Sequence, residues 1–531
     1  MTTVGEQLVQ WLEIYGVDTV FGIPGVHTVE MYRGLAASPI RHLTPRHEQG
    51  AGFMADGHWR ATGRVAACFV ITGPGLTNIL TPMAQAHADS VPMLVVSSVN
   101  RARTLGLGEG DLHEIANQGI VAAQAAAFSH RLSHPAQLGE VLARAWAVFE
   151  GARPRPVHLE IPVDMFSMAA EGTVSRPSRL RAPQPPGDLL SEAMAVLEGS
   201  RQPVLIAGGG AVEARVGALA EHLDAPVVMT TNGRGLLAHD HPLAVPASPS
   251  LAAVRRMIAE ADAVLAIGTE IGRTDFDMYD RGGFEVPGQL IRIEIDAEQM
   301  RRGARPDLPL LGDARVAVDG LLGRATAPRA PGDGAARAAA CLAESRGEVG
   351  PAYARIIALL EQMRETLPEA PIVCDSTQAA YAGNLLFGAP APRHWFNAST
   401  GYGALGYGLP AAIGACHGLK RPVICIAGDG GLQFTLAELG LAVEEGLPLI
   451  LLVWDNQGYG EIKSYMLENG IAPVGVDLHT PDFLGLARAY GAAAARVERI
   501  DALPDLIRTA AGRAGPSVLV LDEALALDRQ G

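Results

Sequence analysis

Apolar and polar positions divide the chain into three stretches of similar kind. From Val4 to about Pro162, segments with apolar residues at helical spacing alternate with short apolar runs at Thr19–Gly22, Val65–Thr72, Met93–Ser98 and Val157–Ile161. Short continuous runs between helical segments predict strands buried on both faces of a parallel sheet. A second stretch has runs at Val204–Ala207, Val227–Thr230, Ala263–Ile267 and Leu290–Ile295, and closes near Leu322. The third opens with a helix around Tyr353–Leu367 and has runs at Ile372–Cys374, Val423–Ala427, Leu449–Trp454 and Val518–Leu521. Between them, 167–187 and 325–334 are Pro-rich with Arg, Ser, Ala or Gly, a linker composition. The pattern predicts an α/β protein of three domains, each a mainly parallel sheet flanked by helices, at 1–166, 188–324 and 350–531. No repeat is visible in the sequence, although the first and third stretches can share an architecture.

Composition narrows the class. With 48% hydrophobic and 19% charged residues over 531 positions, the chain reads as a globular protein with room for large cores. A formal net charge of −15 argues against nucleic acid or an anionic membrane as partner and favours neutral or cationic small molecules. Cys68, Cys341, Cys374, Cys416 and Cys425 lack CxxC spacing, so neither a disulfide framework nor a zinc site is expected. The stretch from Met1 has no basic region followed by an apolar core, and no apolar run approaches the roughly 20 residues that span a bilayer. A reducing cytoplasm is the expected compartment.

The candidate chemistry centres on Gly428-Asp429-Gly430-Gly431. This tetrapeptide follows the apolar run Val423–Ala427 and precedes helical spacing over Leu432–Glu445, which puts the glycines on a strand-to-helix turn. Unencumbered N–H groups and a helix start there both face a bound anion. The next strand ends in Asn456. A carboxylate and an amide oxygen from neighbouring strand ends, joined by diphosphate oxygens, suit magnesium. Taken alone the tetrapeptide is also an ordinary strand-to-helix turn; the asparagine favours the metal reading.

Gly-Asp-Gly followed by helix, strand and Asn resembles the magnesium and diphosphate motif of thiamine diphosphate enzymes. The segment from Arg46 to Arg64, RHEQGAGFMADGHWRATGR, resembles the glutamate segment of the acetolactate synthase and 2-oxo acid decarboxylase family. Phe21-Gly22-Ile23-Pro24-Gly25 and Thr72-Gly73-Pro74-Gly75-Leu76-Thr77-Asn78 resemble that family's first two strand-turns, and Thr400–Pro410 the segment that holds the cofactor bent. Each is also compatible with a plain tight turn or a closely packed helix start. The resemblance implies that Glu48 promotes the proton shuttle of the aminopyrimidine, that the Gly403 carbonyl receives its amine, and that Leu405 is wedged beneath the bend. It implies cofactor contacts at Gly25, Thr72, Asn78, Gln378, Gly428, Asp429, Gly430, Gly431, Asn456 and Tyr459, with Mg2+ on Asp429, Asn456 and the Gly458 carbonyl. Relatives place the site between two chains, which implies a homodimer or homotetramer. Acetolactate synthases also bind FAD in the central domain. Here the stretch after His241-Pro242-Leu243 departs from their Gly- and Met-rich pattern, and Gly208-Gly209-Gly210 alone is a weak nucleotide signal, so FAD is doubtful.

The implied reaction is loss of carbon dioxide from a 2-oxo acid. Acetolactate synthases carry Phe-Gln where this chain has Leu112-His113, and no Lys or Arg occurs from Thr104 to His130. Both departures point away from acetolactate synthesis. A histidine at 113 is suited to deliver a proton to the reacting carbon, although a plain loop histidine fits the same sequence. Glu461 stands where many relatives have an apolar residue facing substrate. It is either a helix-start glutamate favoured by the dipole or a carboxylate ready to take a guanidinium through two parallel hydrogen bonds, with Glu109, Asp111 and Asp375 contributing. GVHTVEMYRGL, RHEQGAGFMADG, DSVPMLVVSSVN and LHE together resemble the 5-guanidino-2-oxopentanoate (2-ketoarginine) decarboxylases of bacterial arginine catabolism. The expected product is 4-guanidinobutanal. The alternatives are an acetolactate-synthase-like carboligase acting on pyruvate and a non-catalytic subunit that binds the cofactor or a partner.

Overall fold

A computed structural model describes residues 2–528 apart from 176, 177, 179, 279, 281, 330 and 331. Both predicted linkers, and the outer ends of the first and third stretches, include positions outside the described residues.

Three six-stranded parallel sheets form, one per stretch. The first contains β1 (Thr19–Gly22), β2 (Arg41–Leu43), β3 (Ala67–Val70), β4 (Leu94–Val99), β5 (Phe128–Arg131) and β6 (Val157–Pro162), in the order β2-β1-β3-β4-β6-β5. The second contains β7 (Pro203–Ala207), β8 (Val227–Met229), β9 (Ala244–Val245), β10 (Ala263–Ile267), β11 (Gln289–Glu294) and β12 (Leu308–Leu311), in the order β12-β11-β10-β7-β8-β9. The third contains β13 (Ile372–Cys374), β14 (Trp395–Asn397), β15 (Val423–Gly428), β16 (Leu449–Asp455), β17 (Ala493–Arg496) and β18 (Ser517–Asp522), in the order β14-β13-β15-β16-β18-β17. Counted from its own first strand, the third sheet repeats the order of the first. These two units share an architecture that their sequences do not reveal.

The apolar runs mark the four inner strands of every sheet. The six strands they miss, β2, β5, β9, β12, β14 and β17, are all edges. An edge strand is paired on one side only, so it can be short and mixed in polarity, as Arg41–Leu43 and Ala493–Arg496 are. Pro309 in β12 fits the same position, because an edge strand can spare one N–H.

A second departure follows the Gly428 turn. The helical spacing over Leu432–Glu445 predicts one helix, yet the chain forms a single turn at Asp429–Leu432, a 3-10 turn at Leu436–Glu438 and a short helix at Leu439–Glu444. Polar side chains on this stretch are committed elsewhere. Thr435 Oγ1 donates to the Gly406 carbonyl at 2.8 Å, and the Glu438 carboxylate accepts from the N–H groups of Arg46 and His47 at 3.0 Å.

The first and third units share one apolar core that runs from Phe21 and Met54 to Leu409 and Leu451. Their contact is the crossing of the Glu48–Thr62 helix with the Gly408–Leu419 helix. A Cβ on Gly57 would lie 2.0 Å from the Ala411 carbonyl oxygen, and one on Gly414 would lie 1.9 Å from that of Met54, so glycine is required for this approach. Beside the crossing, Arg60 donates to Asp56 and Asp89 at 2.6 Å each, and Tyr407 Oη donates to Asp56 at 2.6 Å. All four side chains are buried. The network fixes where the two units meet, and with it the placement of the site residues.

Candidate active site

Two groups of predicted site residues assemble, each at the carboxyl ends of adjacent inner strands where the strand order reverses, the place open α/β sheets offer to ligands. The first lies above β1 and β3. Glu48 begins the Glu48–Thr62 helix, and its Oε2 accepts from Asn78 Nδ2 at 2.9 Å. Gly75 lies directly beneath, where an added Cβ would come within 3.5 Å of Glu48 Oε1. Gly25 packs against the Ile71 side chain, next to Thr72. Thr72 itself is fully buried with its hydroxyl donating to Gln118 Oε1 at 2.9 Å, so it braces the turn. His113 joins from the following loop and packs its backbone and Cβ on Gly73.

The second group lies above β13, β15 and β16. Gly428 pairs with Trp454 across the β15–β16 ladder, which brings Asp429 beside Asn456. The Asn456 N–H donates to Asp429 Oδ1 at 3.5 Å, and Thr480 Oγ1 donates to Asp429 Oδ2 at 3.2 Å. The Asn456 amide end stands 3.0 Å from Asp429 Oδ1 and 2.8 Å from the Gly458 carbonyl oxygen. With its oxygen turned inward it completes three oxygens that face one another, a set that a divalent cation satisfies. With its nitrogen inward it donates to both neighbours. Burial, with the charge of Asp455 nearby, holds the Asp429 carboxyl above its ordinary range, which a cation would offset. The residues therefore fit the expected Mg2+. Among the described residues no group of three His, Cys, Asp or Glu side chains could hold a metal.

Tyr459 covers Gly430, and Leu405 leans on Gly431. Gly403 has φ of +75°, a conformation open to glycine, and its N–H donates to the Ala398 carbonyl at 3.0 Å. Gln378 and Glu461 meet at the outer edge, with Gln378 Nε2 donating to Glu461 Oε2 at 2.5 Å. Glu461 is exposed on the first turn of the Gly460–Glu468 helix. Asp375, expected to add charge for a substrate tail, is instead buried under the Thr400–Pro410 segment. It accepts from the N–H groups of Ser376, Gly406 and Gly408 at 2.8, 3.2 and 2.9 Å, and burial pushes its carboxyl up to about 6. It ties that segment to the end of β13. The Asp111 carboxylate accepts from Thr104 Oγ1 at 2.5 Å, and Glu109 is exposed.

The sequence reading passed over two groups beside the site. His27, two residues after Gly25, stands with its ring 5.7 Å from that of His113. Glu438 holds the start of the glutamate helix from the third unit, and burial pushes its carboxyl up to about 7. His27 sits within one of the quoted segments, whereas Glu438 reads as an outward position on a continuous helix that does not form.

A cavity of about 380 Å3 lies at the carboxyl ends of the central sheet, bordered by Gly209, Gly210 and Gly268. Three guanidinium groups face it, and each is paired: Arg60 with Asp56 and Asp89, Arg153 with Glu270, and Arg393 with Glu213.

Comparison with known proteins bears on both groups. Residues 2–121 match the N-terminal TPP binding domain of thiamine pyrophosphate enzymes, 190–321 the central domain and 375–521 the C-terminal TPP binding domain. The chain is 46% identical over 532 residues to the "Probable 2-ketoarginine decarboxylase AruI" of Pseudomonas aeruginosa, covering 99% of this chain and 94% of that one. It is 29% identical to the acetolactate synthase of Mycobacterium bovis, covering 96% and 86%. The crystal structure titled "X-ray structure of a putative thiamin diphosphate-dependent enzyme isolated from Mycobacterium smegmatis" superposes with a TM-score of 0.81 over 98% of this chain and 99% of that one; at 22% identity this likeness shows the fold. Three domain models in the right order, together with a near-full-length relative, show that the chain belongs to the thiamine pyrophosphate enzyme family.

Proposed function

We propose that this chain is a thiamine diphosphate- and Mg2+-dependent decarboxylase that converts 5-guanidino-2-oxopentanoate to 4-guanidinobutanal and carbon dioxide. The observation that carries the substrate reading is the exposed Glu461 carboxylate beside the Gly428 turn, in a chain 46% identical to a protein named as a 2-ketoarginine decarboxylase. Thiamine diphosphate, when bound, supplies the nucleophilic carbon and the electron sink. Asp429, Asn456 and the Gly458 carbonyl would hold the cation, and the turn at Gly430 and Gly431 would take the diphosphate. Leu405 and Gly403 would support the cofactor between its two rings. Glu48, oriented by Asn78, holds a proton at the aminopyrimidine. Glu461 orients the guanidinium. His113 gives one proton to the carbon that has lost carbon dioxide, which balances the reaction, since a 2-oxo carboxylate plus one proton yields an aldehyde and carbon dioxide.

Two copies of the chain build each site. Asn78, which holds Glu48, and Gln85, whose Oε1 accepts from the Ala404 N–H at 3.2 Å, lie two turns apart on the Pro74–Ala88 helix. That separation is about 10 Å along the axis. It supports a reading in which Glu48 of one copy serves the Gly403 segment of the other. The departure of the stretch after His241-Pro242-Leu243 from the Gly- and Met-rich pattern supports a reading without FAD.

Relatives named acetolactate synthase keep a pyruvate carboligase as the second reading. Product analysis separates them. With thiamine diphosphate and magnesium, 2-ketoarginine gives 4-guanidinobutanal and pyruvate gives no acetolactate; acetolactate as the main product would overturn the decarboxylase reading.

A further inference from the structure

Beside His113 stands an imidazole that the reaction above leaves unused. His27 is carried on a closed turn after β1, where the Thr28 N–H donates to the Gly25 carbonyl at 2.8 Å and the Gly25 N–H donates to Thr28 Oγ1 at 2.9 Å. His113 reaches it from a loop tied on both sides. Asn100 Nδ2 donates to the Leu112 carbonyl at 2.9 Å, and the Glu114 carboxylate accepts from the N–H groups of Gly108, Gly110 and Asp111 at 3.2, 2.8 and 3.1 Å. His113 adopts φ of +62°, a left-handed conformation unfavourable for a residue with a side chain. Gly73 permits the approach, since a Cβ there would lie 2.5 Å from the His113 carbonyl oxygen. The two rings end up perpendicular, at 87°, with centroids 5.7 Å apart. Nδ1 of His27 is buried with no hydrogen-bond partner among the described residues.

Plain edge-to-face packing accounts for the ring geometry alone. It does not account for an imidazole where a phenyl ring would pack without an orphaned buried nitrogen, nor for a strained histidine brought against it. We propose that His27 and His113 work as a pair that carries a single proton, His27 being the positioning residue that stays neutral and keeps that proton on His113 for delivery. The inference rests on His113 as the proton donor of the proposed decarboxylation. Each turnover consumes one proton, and two adjacent imidazolium ions repel, so the pair loads once. The groups facing His27 agree. Burial, then His113, then Arg101 hold its proton affinity below the ordinary histidine value, and Asp111 offsets part of this.

The test uses full-length His27→Asn, His27→Gln and His113→Asn proteins, with kcat and KM measured from pH 5 to 9 and histidine titrations followed by NMR in the cofactor-free state. His27→Asn should lower kcat by about tenfold, keep KM within about twofold and move the acidic limb of kcat to lower pH, because the second protonation is gone; His113→Asn should lower kcat by about 100-fold. In the cofactor-free protein His27 should titrate below about 6.5 and move up in His113→Asn. A kcat profile of both His27 variants superimposable on the native one overturns the pair, and so does a His27 titration that ignores His113→Asn. If His113→Asn retains full kcat, the donor reading falls as well; if it is impaired while the His27 variants are not, only the pair falls. Should the His27 variants fail to fold, the NMR comparison still decides, since it needs only the loop substitution.

Discussion

The charge of Glu461 is the feature on which substrate choice turns, and Glu461→Gln isolates it. The substitution keeps the length and one acceptor oxygen of the side chain while removing the charge. Gln378 already donates to Oε2 at 2.5 Å, so a guanidinium finds Oε1 free and shares Oε2 with that amide. A hydrogen bond to a charged group contributes about 1.5–3 kcal/mol when shielded from water. Glu461 is exposed in the single chain, which lowers this to about 1 kcal/mol, the upper end for an exposed ion pair. The corresponding rise in KM for 2-ketoarginine is about fivefold. Steady-state carbon dioxide release with 2-ketoarginine and with uncharged 2-oxohexanoate provides the assay. KM should rise by that factor for the cationic substrate and stay within about twofold for the neutral one. Equal changes for both substrates, or none for either, would refute the argument.

Other consequences can be measured independently. Glu48→Gln should lower kcat by at least about 100-fold while the protein still binds thiamine diphosphate, as read by calorimetry; a loss under fivefold contradicts its assigned role. The Glu438 carboxyl, pushed by burial to about 7 from an ordinary 4.5, binds its proton more tightly in the fold than in the unfolded chain. Its contribution is therefore full below about pH 4.5 and is lost as pH rises through 7, a differential of about 3 kcal/mol. Thermal unfolding of the native protein should weaken more between pH 5 and 8 than that of Glu438→Gln, and parallel curves would contradict this. Gly414→Ala puts a Cβ 1.9 Å from the Met54 carbonyl oxygen, so the crossing of the two helices must open. Such overpacking costs about 1–3 kcal/mol, and a melting temperature equal to that of the native protein would show that the crossing yields freely.

Much of this was legible from the chain because its strongest signals are local. Inner strands are buried on both faces and read as continuous apolar runs, so twelve of them announce themselves while the six edge strands do not. The Gly428 turn is legible for the same reason. Asp429 and Asn456 each end an apolar run, and parallel pairing of β15 and β16 brings those ends together. Contacts made across the fold are silent in sequence. Nothing local distinguishes Asp375, tied to the N–H of its neighbour Ser376 and to two N–H groups from another segment, from a carboxylate free for substrate. Nor does the helical spacing after Leu432 reveal that Glu438 turns away to hold Arg46 and His47. The proximity of His27 to His113 depends on the β1–β3 pairing and on a glycine at 73 that admits the loop.

The most direct test of the account is the specificity constant for carbon dioxide release by the purified protein with thiamine diphosphate and magnesium, compared across 2-ketoarginine, pyruvate, benzoylformate and 2-oxohexanoate. The account predicts that kcat/KM for 2-ketoarginine exceeds that for 2-oxohexanoate by about fivefold or more, the worth of one exposed charge-assisted contact, and exceeds the other two by a wider margin. A larger kcat/KM for pyruvate, with acetolactate accumulating, would contradict it and leave the cofactor site as the part that stands.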